Sequence, residues 1–115
     1  CRATVRSIPL DTDTLQSAIE EADILVNGTP LGMHPKTEET PIQKEMLHSG
    51  LLVFDLVYNP IKTRLLREAE EAGAIILPGV NMLVYQGVAA FKMWTGEDPP
   101  VEIMKAAVVK ALGGT

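Results

Sequence analysis

Cysteine is almost absent from this chain. Cys1 is the only one, so no internal disulfide can form, and the composition fits a reducing cytoplasm. Positive charge is also short. Ten Lys and Arg against fifteen Asp and Glu leave a formal charge of −5. A nucleic-acid partner needs a cationic surface and is not expected, and the same sign disfavours docking on anionic lipid. No apolar run approaches the roughly 20 residues of a membrane span. The N-terminus lacks the basic-then-apolar order of a secretory leader. The sequence shows no glycine-rich phosphate loop of the GxGxxG or P-loop type. No His/Cys cluster has metal-ligand spacing, so no metal is expected. His34 and His48 are isolated and read as solvated side chains. No Ser/His/Asp arrangement, internal repeat or low-complexity tract is apparent.

What is present is ordinary for a folded domain. The 115 residues are 46% hydrophobic and 22% charged, enough for one compact domain and against disorder. The first residue is Cys and a strand-like segment follows almost at once. The expectation is therefore a piece of something longer.

Four segments read as strands. Residues 3–8 form a weak one, with Val5 and Ile8 apolar. Residues 23–26, 51–54 and 74–77 are continuous apolar runs, the pattern of strands covered on both faces in a parallel sheet. Helical spacing marks residues 12–21, where Asp13 and Gln16 resemble a capping box. It recurs over 62–72, stopped by Gly73, over 82–94 before Gly96, and over 101–112. The last is opened by Pro99 and Pro100 and closed by Gly113 and Gly114. Residues 42–47 suggest a short helical turn within an otherwise exposed loop, 30–50. Glu68, Glu70 and Glu71 read as a solvated helix face. Alternating strands and helices predict an α/β layered fold with right-handed crossovers.

In an open parallel sheet, ligands bind beyond the carboxyl ends of the strands. Three such ends carry special residues: Asn27-Gly28-Thr29-Pro30, Asp55 through Pro60, and Pro78-Gly79. Asn27 and Thr29 either build a turn before Pro30 or contact a ligand. Asp55 reads as a brace for a neighbouring loop. Asn59-Pro60 enters the next helix, with Lys62 or Thr63 in its first turn. Tyr58 suits a half-buried site with a wet hydroxyl. Gly79 answers to close approach of backbone or ligand, or to a positive φ. Gln86 falls on or beside an apolar helical stripe. A buried amide there requires a partner, either backbone or a polar ligand.

These strings resemble a known family. Asn27-Gly28-Thr29-Pro30-Leu31-Gly32-Met33 is similar to the N-T-T-P-L-G-M stretch of shikimate dehydrogenases. Asp55-Leu56-Val57-Tyr58-Asn59-Pro60, with Thr63 and Leu65-Leu66, resembles their D-x-x-Y-x-P-x-x-T-x-L-L motif. Gly79, Met82-Leu83, Gln86, Ala90-Phe91, Trp94 and Gly96 resemble their final signature. The match runs in order from about Asp23 to Pro99.

The resemblance implies the C-terminal half of a Rossmann-type NADP-binding domain. Its parent enzyme would reduce 3-dehydroshikimate to shikimate with NADPH, in aromatic amino-acid biosynthesis. It implies that Leu56 and Gly79 contact the cofactor near its nicotinamide end, and that Asn27 and Thr29 lie on the loop passing it. Tyr58 and Gln86 would hydrogen-bond shikimate. Gly28 departs from the family's Thr, Ala or Ser, which removes a side chain from the cofactor loop and loosens it.

The family's proton-transfer Lys and Asp lie in an N-terminal domain, so no catalytic residue is expected in this chain. Alone it is expected to be inactive. Helix 101–112, within the stretch 97–115, is expected to pack on that missing domain. By the family's strand order, residues 3–8 would lack their native neighbours and strand 23–26 would have an open edge. Self-association or a displaced N-terminal strand follows. Two other readings stand beside this one: an NAD-using quinate/shikimate dehydrogenase, and a stand-alone binding module of the same fold.

Overall fold

The computed structural model describes residues 2–113; Cys1 and Gly114 lie outside the described residues. The elements run α1 (Thr12–Glu21), β1 (Ile24–Asn27), a 3-10 turn (Lys44–Met46), β2 (Leu52–Asp55), α2 (Arg64–Glu71), β3 (Ile75–Pro78), α3 (Val80–Thr95) and α4 (Val101–Ala111). The sheet has three strands in the order β1-β2-β3, all parallel. Its register sets Asn27 beside Asp55 and Asp55 beside Pro78. The polar strand ends foreseen from the sequence thus share one edge.

Residues 3–8 are not a strand. Their apolar side chains are exposed, Val5 at 85%, and no ladder bond holds them. β1 keeps an open edge on that side.

Local chemistry explains the helix boundaries. Asp11, not Asp13, caps α1. Its Oδ1 accepts from the Thr14 amide at 2.8 Å and its Oδ2 from the Thr14 hydroxyl at 2.9 Å. These bonds favour the carboxylate and hold the Asp11 pKa below the usual 3.8. A depressed folded value means the cap's contribution is fully present above the unfolded pKa. It is lost as pH falls through the lower folded value. Protection of the first-turn amides of α1, taken relative to their intrinsic exchange rates, is therefore expected to fall as the solution is acidified past that point. Asp11→Asn is expected to remove this acid dependence; a profile identical to wild type would count against the assignment.

α2 begins one residue after Thr63, whose hydroxyl accepts from the Leu66 amide at 3.2 Å. Thr63 is therefore the cap and Lys62 precedes the helix. Gly73 (φ +86) and Gly96 (φ +74) take the left-handed conformation that ends α2 and α3.

One face of the sheet is well covered. Leu25, Val53 and Ile76 pack with Ile19 of α1, Leu65, Leu66 and Ala69 of α2, and Met46, Leu47 and Leu51. The segment 30–50 is thus only partly an exposed loop, because its second half supplies core. His48 is also more than a solvated side chain. Gly50 N donates to its Nδ1 at 3.1 Å, which leaves Nε2 to donate to Ile19 O at 2.9 Å and ties the loop to α1. Glu68 departs from the solvated face as well. It is 8% exposed and its Oε1 accepts from Arg64 Nε at 2.7 Å. Arg64 Nη1 also donates to Glu38 O at 2.7 Å, pinning the loop to α2.

The opposite face is open. Ile24, Val26, Ile75 and Leu77 are 63, 52, 66 and 38% exposed. Two-sided burial, expected from the continuous apolar runs, is realised on one side only. α1 and α2 both occupy the other face, while α3 leaves the sheet and packs on α4. This helical pair explains a radius of gyration of 16.2 Å, against about 13 Å for a compact chain of this length. No residue of α4 is buried, and Met93 and Trp94 at the end of α3 are 83 and 84% exposed.

Candidate functional site

A cleft of about 440 Å³ lies at the carboxyl edge of β1 and β2, within the range of small-ligand sites. Gly28, Thr29, Pro30, Met33 and His34 form one wall, and Leu56, Val57, Tyr58 and Asn59 the other. The two walls are joined by His34 N donating to Asn59 O at 2.8 Å and Leu56 N donating to Asn27 O at 3.1 Å.

Beneath the cleft lies a buried polar cluster centred on Asp55, which is fully buried. Asp55 Oδ1 accepts from Asn27 Nδ2 and from Val57 N, each at 3.0 Å. Its Oδ2 accepts from the Thr63 hydroxyl at 2.6 Å. Asn27 Oδ1 in turn accepts from the Thr29 amide at 3.0 Å and the Thr29 hydroxyl at 2.7 Å. One carboxylate thereby holds both walls and the start of α2. Parallel register places Asn27 and Asp55 side by side, and an eight-residue span returns Thr63 to the same point.

The expected site residues separate into two groups. Thr29, Leu56 and Tyr58 meet in the cleft, and Tyr58 is 39% exposed there. Asn27 sits below them, 4% exposed. Its amide is spent on the turn and on Asp55, so the turn-building reading accounts for that side chain. Gly79 and Gln86 lie apart from the cleft lining. A Cβ on Gly79 would fall 2.5 Å from Asp55 O and 2.6 Å from Leu56 O. Its φ is −67°, so close backbone approach, not a positive φ, demands glycine. Gln86 is exposed, and its Nε2 donates to Leu83 O at 3.0 Å. The premise of a buried amide fails here, because the pattern on α3 faces solvent and not a covering layer.

Pro30, Met33, His34 and Val57, to which the sequence assigns no ligand contact, also line the walls. Pro30 and Met33 stand in the N-T-T-P-L-G-M stretch, while His34 and Val57 are marked by position alone, next to the polar strand ends. Gly28 has room for a side chain: a Cβ would touch only Leu56 Cδ1, at 3.8 Å. A second, more apolar cavity of about 390 Å³ lies beyond Gly28 and Thr29, between Leu10, Leu15, Leu25 and Leu65. Among the described residues, no group of His, Cys, Asp and Glu could hold a metal ion, and no helix is long and apolar enough to cross a membrane.

The model of the family described as the Shikimate 5'-dehydrogenase C-terminal domain matches residues 79–109. The chain is 57% identical over 98 residues to the shikimate dehydrogenase (NADP(+)) of Methanosarcina mazei. The chain belongs to the shikimate dehydrogenase family. That alignment takes in 85% of this chain but 35% of the M. mazei protein, so the chain spans about a third of its relative's length. A crystal structure of the Thermus thermophilus shikimate dehydrogenase with NADP(H) and shikimate superposes with a TM-score of 0.80 at 36% identity. It covers 93% of this chain and 38% of that one. Quinate dehydrogenase from Corynebacterium glutamicum, in complex with NAD, gives 0.79 at 36% identity, covering 85% of this chain and 34% of that one. The three parallel strands with flanking helices are therefore part of the family's Rossmann-like fold. The shikimate dehydrogenase motifs fall on the cleft walls, on the cluster beneath them and on α3.

Proposed function

We propose that this chain is the nicotinamide-side wall of an NADP-dependent shikimate dehydrogenase, which interconverts 3-dehydroshikimate and shikimate. The observation that carries the reading is the cleft itself. It joins Thr29, Leu56 and Tyr58 at the strand ends, where open α/β sheets bind ligands. Its chemistry suits the ring end of a dinucleotide. The walls are largely apolar and no Lys or Arg lines the cleft among the described residues, so phosphates would be held elsewhere.

When bound, the cofactor would supply the hydride. Gly28, Thr29 and Leu56 would bound the ring, and Gly79 would act through the carbonyls it abuts. The Tyr58 hydroxyl would donate to a substrate oxygen. Gln86 would join it once α3 is covered by the remainder of the protein, with α4 packing on the same domain. Proton transfer would fall to a Lys and an Asp outside this chain. Hydride transfer needs both reactants at near-attack distance, so one wall is not enough.

Two measurements test this. The 115-residue chain with shikimate and NADP⁺ is expected to produce no reduced cofactor; turnover would overturn the division of roles. In the whole protein, Tyr58→Phe is expected to raise KM for shikimate about tenfold through one lost hydrogen bond, leaving cofactor affinity unchanged. An unchanged KM would remove Tyr58 from the substrate site. The likeness to an NAD-bound quinate dehydrogenase supports a second reading, with NAD and quinate. Comparing the four pairings of cofactor and substrate in the whole protein decides between them.

A further inference from the structure

Every hydrogen bond of the Asp55 side chain runs toward its carboxylate. The donors are Asn27 Nδ2, Val57 N and the Thr63 hydroxyl. An acceptor-only carboxyl is the pattern of the anion. Its neighbours are neutral. The ion pairs among the described residues are Lys62 with Glu70, Arg64 with Glu68 and Lys92 with Asp98; none involves Asp55. The N-terminus of α2, reached through Thr63, offsets about half a charge at most. A net negative charge therefore remains under the cleft. It is one hydrogen bond away from Val57, which lines the cleft wall. Among the described residues no Lys or Arg lines the cleft to screen it, and Asp55 is shielded from water by complete burial.

We propose that Asp55 is an electrostatic positioning residue of this cleft, whose buried charge favours a cationic ring, the oxidised nicotinamide, over the neutral reduced one. The inference rests on the nicotinamide reading above and adds a direction to it. Hydrogen bonding alone fixes the walls and treats both redox forms alike. Charge discriminates between them, because only the oxidised ring is positive. Low-dielectric surroundings enlarge the difference.

The test uses rings without phosphates, so that the cleft alone is probed. The 1-methylnicotinamide cation and 1-methyl-1,4-dihydronicotinamide are titrated into the whole protein, with binding read from amide shifts of residues 28–34 and 55–59. The wild type is expected to bind the cation roughly five- to tenfold more tightly than the neutral ring. Asp55→Asn is expected to abolish that preference. Thr63→Val, which keeps the charge and loosens the walls, is expected to weaken both rings while leaving their ratio intact. Equal binding by the wild type, or a preference that survives Asp55→Asn, overturns the proposal. If Asp55→Asn does not fold, the wild-type ratio still decides. If neither ring shifts the cleft amides, the nicotinamide reading fails and the proposal falls with it.

Discussion

Gly79→Ala is expected to lower stability by about 3 kcal/mol, a fall of roughly 10–20 °C in Tm for a chain of this size. The added methyl would sit 2.5 Å from Asp55 O and 2.6 Å from Leu56 O. Both obstacles are backbone, so no rotamer change relieves them. α3 or the end of β2 must shift instead. An opposing term exists, since alanine restricts the unfolded chain and Gly79 has helical torsions that alanine accepts. That term is worth about 0.4–1 kcal/mol and is outweighed. Gly28→Ala is the control. Its methyl meets only Leu56 Cδ1 at 3.8 Å, and a change within about 0.5 kcal/mol is expected. Thermal melts that coincide for Gly79→Ala and wild type would show that the close approach is not as described.

Asp55→Ala is expected to cost about 3–4 kcal/mol, measured as a drop in the urea midpoint. Three donors lose their acceptor at once: Asn27 Nδ2, Val57 N and the Thr63 hydroxyl. Each buried group left unpaired costs about 1–3 kcal/mol. Partial rescue keeps the sum below the maximum, because Asn27 Nδ2 also reaches Leu31 O at 3.5 Å. Asp55→Asn should cost less than about 2 kcal/mol. Its carbonyl can still accept from Asn27 and Val57, and its amide can donate to Thr63. Exchange at the Val57 amide provides a local readout, expected to accelerate in the alanine variant and to stay slow in the asparagine variant. Equal losses for the two substitutions would show that side-chain volume, not hydrogen bonding, is what Asp55 contributes.

Much of this architecture is legible in the residues, and the exceptions have physical reasons. Periodicity locates all four helices, because each carries its own boundary chemistry. Asp11, Thr63, Gly73 and Gly96 act within one turn of the ends they define. The three central strands are equally plain, since Ile24 to Val26, Leu52 to Phe54 and Ile75 to Leu77 leave no helical alternative. Residues 3–8 carry strand-forming side chains, yet a strand exists only through its neighbour's hydrogen bonds. Sequence pattern also cannot say which chain covers an apolar face, so Ile24 and Ile75 read as buried and stand exposed. Gln86 misleads for the same reason. At the site, Thr29, Leu56 and Tyr58 could be gathered because parallel strands end together. The full cluster could not, because Asn27 and Thr63 meet Asp55 across 28 and 8 residues of chain. Only the register of β1 on β2 and the return of α2 bring them into contact.

The contact at Gly79 also has a mechanical side. α3 is a rod of 16 residues, about 24 Å long at 1.5 Å per residue, fixed at its base where Gly79 rests on two carbonyls. A tilt of roughly 10° about that pivot displaces Trp94 by about 4 Å and Gln86, nearer the base, by about 2 Å. Small errors at the fulcrum are thus multiplied along the shaft. Gln86 is placed less by its own neighbours than by how firmly a single glycine is seated.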